Sequence, residues 1–384
     1  MLFLLTALDQ EGNWIVLLPS MERERLRQSR NTQRFYCPQC KNPVLLKVGD
    51  IVIPHFAHQQ TSSCSGAFSE GESLAHLLGK QQLFTFFQKH AEHVELEPFV
   101  QRISQRPDLL VTLHSEQFPI EFQCSPISNS RLEERTAGYR RAGLEPFWLL
   151  HTPDKHRQHH LGIDVFQFSR FHELFFTHHP PEGSVLITYH PETESFHYFS
   201  NLIHIAGRRY IGNHRKLAIS HQTIPFARPK APMEEEIQRY ADLYRAARAS
   251  FLKNRIRMNR KGLNDAFLRA CYEIRFIPSE LPAWIGVPVH GSEAFREHDC
   301  EWQTAFIHDA WKQKLQIEQL FDCSILKFIS RYDGNKKSME KACVAYRDFL
   351  IRSRVDILKN HDDLVEDCLI KVLAGRFLAI PSEY

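Results

Sequence analysis

A chain of 384 residues exceeds what one ordinary hydrophobic core holds, so two or three domains are expected. Hydrophobic residues make up 43% and charged residues 24%, which excludes a fibrous or disordered chain, and no stretch approaches the ~18 consecutive apolar residues of a membrane span. The formal net charge of +3 is too small to argue for nucleic acid globally, so any DNA contact must rest on local charge.

The first ten residues, MLFLLTALDQ, lack the basic start of a secretion signal and run at once into Asp9 and Glu11. They read better as a strand over 2–8, a turn, and a strand over 14–18. The nine cysteines are an odd number, and only Cys37, Cys40 and Cys64 cluster. That distribution fits a reducing compartment with one metal site rather than a disulfide framework, and a cytoplasmic location is expected.

Residues 1–69 read as short strands and turns, an N-terminal β region around Cys37-Pro-Gln-Cys40, His55-Phe-Ala-His58 and Cys64. A CxxC knuckle places two thiolates on one side of a tight turn, as tetrahedral zinc requires, and imidazoles or a third thiolate complete such a shell. Five candidates compete for four positions. His55 and His58 are closer together than zinc-site histidines usually are, so one of them can stand outside the shell with Cys64 in its place. A structural zinc is expected here, because the segment is too poor in apolar residues to hold itself together. The competing reading is a pair of buried thiols beside a satisfied core histidine. A redox CxxC is disfavoured, since no strand–helix unit of thioredoxin type follows it.

Residues 70–165 read as an α/β core. A helix over 72–90 presents Leu74, Leu77, Leu78, Phe84 and Phe87 on one face. Strands follow at 94–96, 109–113, 118–124 and 147–150, with a helix over 131–141, closed by Gly143, before the last of them. Arg106-Pro107-Asp108 opens one strand and Glu121-Phe122-Gln123 closes the next, with HSEQFP as the hairpin loop between. Alternation puts Glu121 and Gln123 on one face and Phe122 on the other. An even loop centred on Ser115–Glu116 sets Asp108 opposite Gln123 and diagonal to Glu121, whereas an odd loop flips the register and separates them.

Two converging carboxylates suit a hard cation such as Mg²⁺ or Mn²⁺, which can acidify a bound water and neutralise charge on a phosphate. Glu72, His76 and Lys80, spaced i, i+4, i+8 on the preceding helix, form one stripe that can position a water or a phosphate. Spacing alone also fits a turn-entry aspartate and a solvent-facing glutamate.

The ordered series CPxC, PHFAH, ES, H, K, RPD, IEFQCSP, YR and FWLL over residues 35–150 resembles the CoiA family of competence proteins. The resemblance implies a PD-(D/E)XK nuclease-like core that acts on DNA, single-stranded in the expected case, during natural transformation and recombination. A recombinase or other competence proteins are the implied partners. On that resemblance Pro107-Asp108 matches the first half of the motif, and Glu121-Phe122-Gln123 matches (D/E)-x-K with glutamine where lysine usually stands. Glu72, His76 and Lys80 match the first-helix positions. The implied catalytic set is therefore Asp108, Glu121, Gln123, Glu72, His76 and Lys80, with Asp108 and Glu121 holding Mg or Mn. Lysine would orient and acidify the attacking water, while glutamine offers only neutral hydrogen bonds. Two functions follow: a metal-dependent deoxyribonuclease, or a non-cleaving DNA-binding accessory of recombination built on a retired nuclease fold.

Residues 166–223 alternate as a small antiparallel extension, and residues 224–232, with three prolines, read as a linker. Helical periods over 233–252, 263–275, 301–321, 338–359 and 362–373 make 224–384 an all-α domain. Arg106 and the dense run Lys253, Arg255, Arg257, Arg260 and Lys261 are the candidates for DNA-backbone contact. A solvated helix end explains that run equally well. Arg131, Arg135, Arg140 and Arg141 read as a phosphate track or a solvated helix face, with Tyr139 in the core. The His-rich residues 151–160 read as a solvated loop, with metal binding as the alternative.

Overall fold

A computed structural model of the protein describes residues 3–58, 73–153, 161–179, 183–258, 262–355 and 368–377. The chain divides into two compact units, the first made of residues 1–159, 187–198 and 216–227 and the second of 160–186, 199–215 and 228–384. The linear boundaries expected at 69/70, 165/166 and 223/224 are not the boundaries of these units. The strands after residue 183 are long enough to contribute to both, so they do not form an extension of their own.

The first unit opens with β1 (Phe3–Leu4), β2 (Thr6–Leu8), β3 (Trp14–Val16), α1 (Arg23–Thr32), β4 (Phe35–Tyr36), β5 (Pro43–Lys47) and β6 (His55–His58). The six strands pair in the order β1-β6-β5-β4-β2-β3, antiparallel throughout. In β5 the pleat buries Val44 and Leu46 and exposes their neighbours, and the buried face packs with Leu4, Leu17, Leu26, Phe35 and Phe56. α1 is absent from the strand-and-turn expectation because Leu26 is its sole buried residue, so its helical period is nearly silent.

Next come α2 (Leu74–His90), β7 (His93–Leu96), β8 (Leu109–Leu113), β9 (Glu116–Gln123), α3 (Asn129–Arg141) and β10 (Phe147–His151), in the order expected for the α/β core. Ser73 and Ser128 cap the two helices, their hydroxyls accepting from His76 N–H at 3.2 Å and Arg131 N–H at 3.3 Å. β7, β8 and β9 form an antiparallel meander and β10 lies parallel to β9. Leu109, Val111, Ile120, Phe122 and Leu149 share a core with Leu77, Phe84 and Phe87 of α2. A methyl at Gly79 would stand 2.2 Å from a Phe122 ring carbon, so glycine lets α2 approach β9 this closely.

The β8–β9 hairpin is where register corrects the expectation. Leu113 faces Glu116, so the loop is even but centred on His114–Ser115, one residue earlier than expected. Both turn residues are left-handed, at φ 52° and 64°, as a two-residue hairpin turn of matching twist requires. Neither is glycine or asparagine. Glu92 accepts from both backbone N–H groups, at 2.9 and 3.3 Å, and holds the turn. Continuing the ladder from Leu109↔Ile120 sets Asp108 across from Glu121, not from Gln123.

The second unit contains β11 (Gly162–Gln167), α4 (Arg170–Glu173), β12 (Thr177–His179) and parts of β13 (Gly183–His190), β14 (Ser195–Ala206) and β15 (Arg209–Ala218). β15 pairs antiparallel with β11, while the end of β13 that belongs to the first unit runs parallel to β10. After these, the described helices of the second unit are α5 (Glu234–Arg257), α6 (Ala266–Glu273), α7 (Asp299–Lys312), α8 (Asp322–Ile329), α9 (Lys336–Arg352) and α10 (Cys368–Phe377). The helix expected over 301–321 ends at Lys312, because Lys314 turns left-handed at φ 55°, and a 3-10 turn over Ile317–Gln319 precedes α8. Residues 356–367, inside two of the expected helices, lie outside the described residues. No described helix is long and apolar enough to cross a membrane.

Candidate metal centre and carboxylate site

The knuckle follows β4. Lys41 N–H donates to the Cys37 carbonyl at 2.9 Å, and Lys41 adopts a left-handed φ of 59°, which folds the CxxC back on itself. β6 then brings His58 alongside, its Nε2 3.4 Å from Cys40 Sγ. One donor atom each from Cys37, Cys40 and His58 all lie within 4.8 Å of one another. Two thiols and an imidazole fit a metal such as zinc. Burial, then the charge of Arg106, pushes the His58 pKa down and so favours the neutral ring that ligates.

His55 is not in this group. His55 and His58 are three positions apart on a strand, and the pleat turns them to opposite faces. His55 Nδ1 lies 2.9 Å from the Ile53 carbonyl, and its ring packs on Phe3 with centroids 4.5 Å apart. Cys64, the remaining candidate, lies outside the described residues, as does Glu72 of the helix stripe.

The carboxylates lie in the α/β core of the same unit. Asp108 Oδ2 is 3.1 Å from His76 Nε2 and accepts the Phe122 N–H at 2.8 Å, while Oδ1 is 3.8 Å from Lys80 Nζ. Burial opposes ionisation of Asp108, yet His76, Lys80 and the Phe122 amide outweigh it and hold the carboxyl well below its usual range. His76 and Asp108 are the more accessible members of the cluster, at 15% and 14% side-chain exposure.

Lys80 is 1% exposed, and its ammonium donates at 2.5 Å to a carboxylate that the sequence reading missed, Glu97. Glu97 also accepts from Leu5 N–H at 3.0 Å, Thr6 N–H at 3.2 Å and the Thr6 hydroxyl at 2.9 Å, tying the N-terminal sheet to the core. Its own signal is faint: an acid just past an apolar strand, held at a left-handed φ of 51°. Burial resists its charge, but Lys80 and Arg106 bring its pKa below the usual range. Lys80 thus acts on Asp108 as a buried charge rather than as a free cation of the surface.

Glu121 points to α3. Arg135 and the Tyr139 hydroxyl both donate to its Oε1. Arg135, read from sequence as a phosphate track or a solvated face, is buried in this pair, and Tyr139 is in the core as expected. Burial raises the Glu121 pKa, and the charge of Asp108 adds to the rise against the pull of Arg135 and Tyr139. Gln123 donates its amide to the Ser125 carbonyl at 2.7 Å.

Among the basic candidates, Arg106 is partly buried beside Glu97 and His58, whose ionisation its charge affects. Arg255 is paired with Glu301 at 2.5 Å and Asp265 at 3.2 Å, so its charge is offset within the fold. Lys253 and Arg257 are exposed, and Arg260 and Lys261 lie outside the described residues.

A cysteine–histidine knuckle ahead of an α-β-β-β-α-β core is matched by two family models, "Competence protein CoiA, N-terminal domain" over residues 18–67 and "Competence protein CoiA, nuclease-like domain" over 72–228. The second match ends next to the last segment of the first unit, at residue 227. This is a protein with a nuclease-like domain. The chain is also 30% identical over 298 residues to the competence protein CoiA of Bacillus subtilis (strain 168), covering 75% of this chain and 74% of that one. It belongs to the CoiA family of competence proteins. No solved structure matches.

Proposed function

We propose that the chain processes DNA during natural transformation as a metal-dependent nuclease of the PD-(D/E)XK type, with Asp108 and Glu121 as ligands of Mg²⁺ or Mn²⁺. The observation that carries this reading is the β8–β9 register, which, continued from Leu109↔Ile120, sets Asp108 opposite Glu121, with His76 3.1 Å from Asp108. Carboxylate oxygens are the donors such cations take. Burial and the charge of Asp108 raise the Glu121 pKa against the pull of Arg135 and Tyr139, and a cation bound there would favour its charged form. Bound there, the ion would supply an acidified water and offset charge on the phosphate. His76 orients Asp108, Lys80 biases it towards the charged form, and the Gln123 amide is a neutral donor for the water or phosphate. Glu72 joins the set by its family position alone. Lys253 and Arg257, with Arg260 and Lys261, are proposed to hold the DNA backbone.

A second reading, a non-cleaving DNA-binding accessory, is favoured by one specific contact. Arg135 already occupies the Glu121 oxygen that a metal would take. The two readings separate on labelled single- and double-stranded DNA incubated with Mg²⁺ or Mn²⁺. The nuclease predicts cleavage that stops with EDTA and falls at least about a hundredfold in Asp108→Asn. Cleavage that persists in Asp108→Asn or in EDTA sinks it, and DNA binding without cleavage establishes the accessory.

The knuckle is proposed as a structural zinc site, with Cys64 as the fourth ligand to Cys37, Cys40 and His58. Elemental analysis should find about one zinc per chain. The metal should be retained in His55→Ala and lost in Cys37→Ser, with a fall in the thermal midpoint. Equal zinc loss in both variants would overturn this ligand assignment.

A further inference from the structure

The second unit holds a cavity of about 700 Å³, and neither Asp108 nor Glu121 lines it. Ile205, Ala206, Phe251 and Met258 give it an apolar side, while Arg209, Ser250, Asn254 and His298 give it a polar one. A space of this size takes a drug-sized or nucleotide-sized ligand.

Its charge is unbalanced towards the positive. Arg255 and Asp265 also line it, but Arg255 is held by Asp265 at 3.2 Å and by Glu301 at 2.5 Å, so it offers no free charge. Arg209 is exposed, and no carboxylate of the described residues lies within 4.0 Å of it. Arg257 is likewise without a carboxylate partner and reaches the Asn254 side-chain oxygen at 3.5 Å, which places a second cation at the rim. A second cavity, of about 490 Å³, differs on this point: its Arg296 and Arg376 are paired with Glu173 and Glu293.

His298 lines the cavity as a neutral, buried ring. His298 Nδ1 accepts the Cys300 N–H at 3.2 Å, so the neutral ring carries its proton on Nε2. That nitrogen is buried and has no partner among the described residues. Burial and the nearby charges of Arg248, His204 and Arg209 push the His298 pKa down to about 3, so the ring stays neutral. Phe251 stacks on it, centroids 4.5 Å apart and planes at 13°, making a flat aromatic wall.

We propose that this cavity binds a nucleotide, Arg209 taking the phosphate, Ser250 and Asn254 donating to its oxygens, and the apolar side receiving the base. Arg carries the planar fork that suits phosphate, and bases pack on aromatic and apolar walls without regard to sequence. The ligand class is a phosphorylated nucleoside, either free or at the end of a DNA strand. The site is independent of whether the core cuts.

Calorimetric titration of the full chain with dAMP, deoxyadenosine and a 5′-phosphorylated deoxytetranucleotide tests this. Either phosphorylated ligand should bind, and deoxyadenosine should bind at least about tenfold more weakly. Binding of dAMP marks a free-nucleotide site; binding of the tetranucleotide without dAMP marks a strand end. Arg209→Glu, on an exposed side chain, should weaken binding at least about tenfold, and Ser250→Trp, which fills the mouth, should do the same. Arg239→Glu, exposed on the same helix away from the cavity, should leave it unchanged. The proposal is overturned if no phosphorylated ligand binds, if binding survives both cavity variants, or if Arg239→Glu weakens it as much as Arg209→Glu.

Discussion

Glu97→Ala is expected to lower folding stability by roughly 3–5 kcal/mol, among the largest effects of any single change in the first unit. The variant strands the Lys80 ammonium, 1% exposed, and removes the acceptor shared by Leu5 N–H, Thr6 N–H and the Thr6 hydroxyl. Urea denaturation measures the loss directly. Adding Lys80→Met should recover a large part, because the uncompensated charge is then gone. A loss below about 1 kcal/mol in the single variant would mean that water or another group satisfies Lys80. Acid provides a second check. The Glu97 and Asp108 carboxyls both titrate below their ordinary values when folded. Their stabilisation is therefore full above the unfolded carboxylate range and is lost as pH falls through the folded values. Wild type should lose more stability on acidification than Glu97→Ala.

Glu121→Ala is expected to cost a comparable amount, about 3–5 kcal/mol, by leaving Arg135 buried without its carboxylate. Glu121→Gln keeps the shape and an acceptor for the Tyr139 hydroxyl, so its cost should be smaller while its effect on any cleavage is as large. This split separates a ligand role from a packing role. Equal stability of Glu121→Ala and wild type would show that the Arg135 pair adds nothing. Full cleavage by folded Glu121→Gln would remove Glu121 from the proposed metal site.

The core was legible because its signals are local. The apolar stripe of α2 and the strands around Leu109 and Phe122 each follow from a few neighbouring residues. Pairing was less so. An even hairpin loop keeps Asp108 on the face of Glu121 whichever residue pair sits at its centre. Choosing His114–Ser115 over Ser115–Glu116 needed Glu92, which is distant in sequence from the turn it holds. The HxxH spacing left open which histidine stands outside the shell; on a strand the pleat separates the two rings and keeps His58 with the cysteines. The partners of Lys80, Glu121 and Arg255 are set by long-range packing, so sequence offered these as free functional groups where the fold pairs them. Glu97 carried almost no local signal and joins residues more than ninety positions apart.

The interleaving of the two units along the chain bears on how the protein is made. The last segment of the first unit ends at residue 227, whereas the second unit already owns residues 160–186 and 199–215 by then. Ile203, Ile205 and Ile211 therefore leave the ribosome well before Ile237, Tyr240, Tyr244 and Phe377, the residues that cover them. For the time it takes to synthesise the helices, those isoleucines are bare strand residues, the kind of surface on which nascent chains associate. Stopping the chain near residue 228 would keep every segment of the first unit and make that exposure permanent. The prolines there mark a change of composition in the sequence, but they are a poor place to cut the protein.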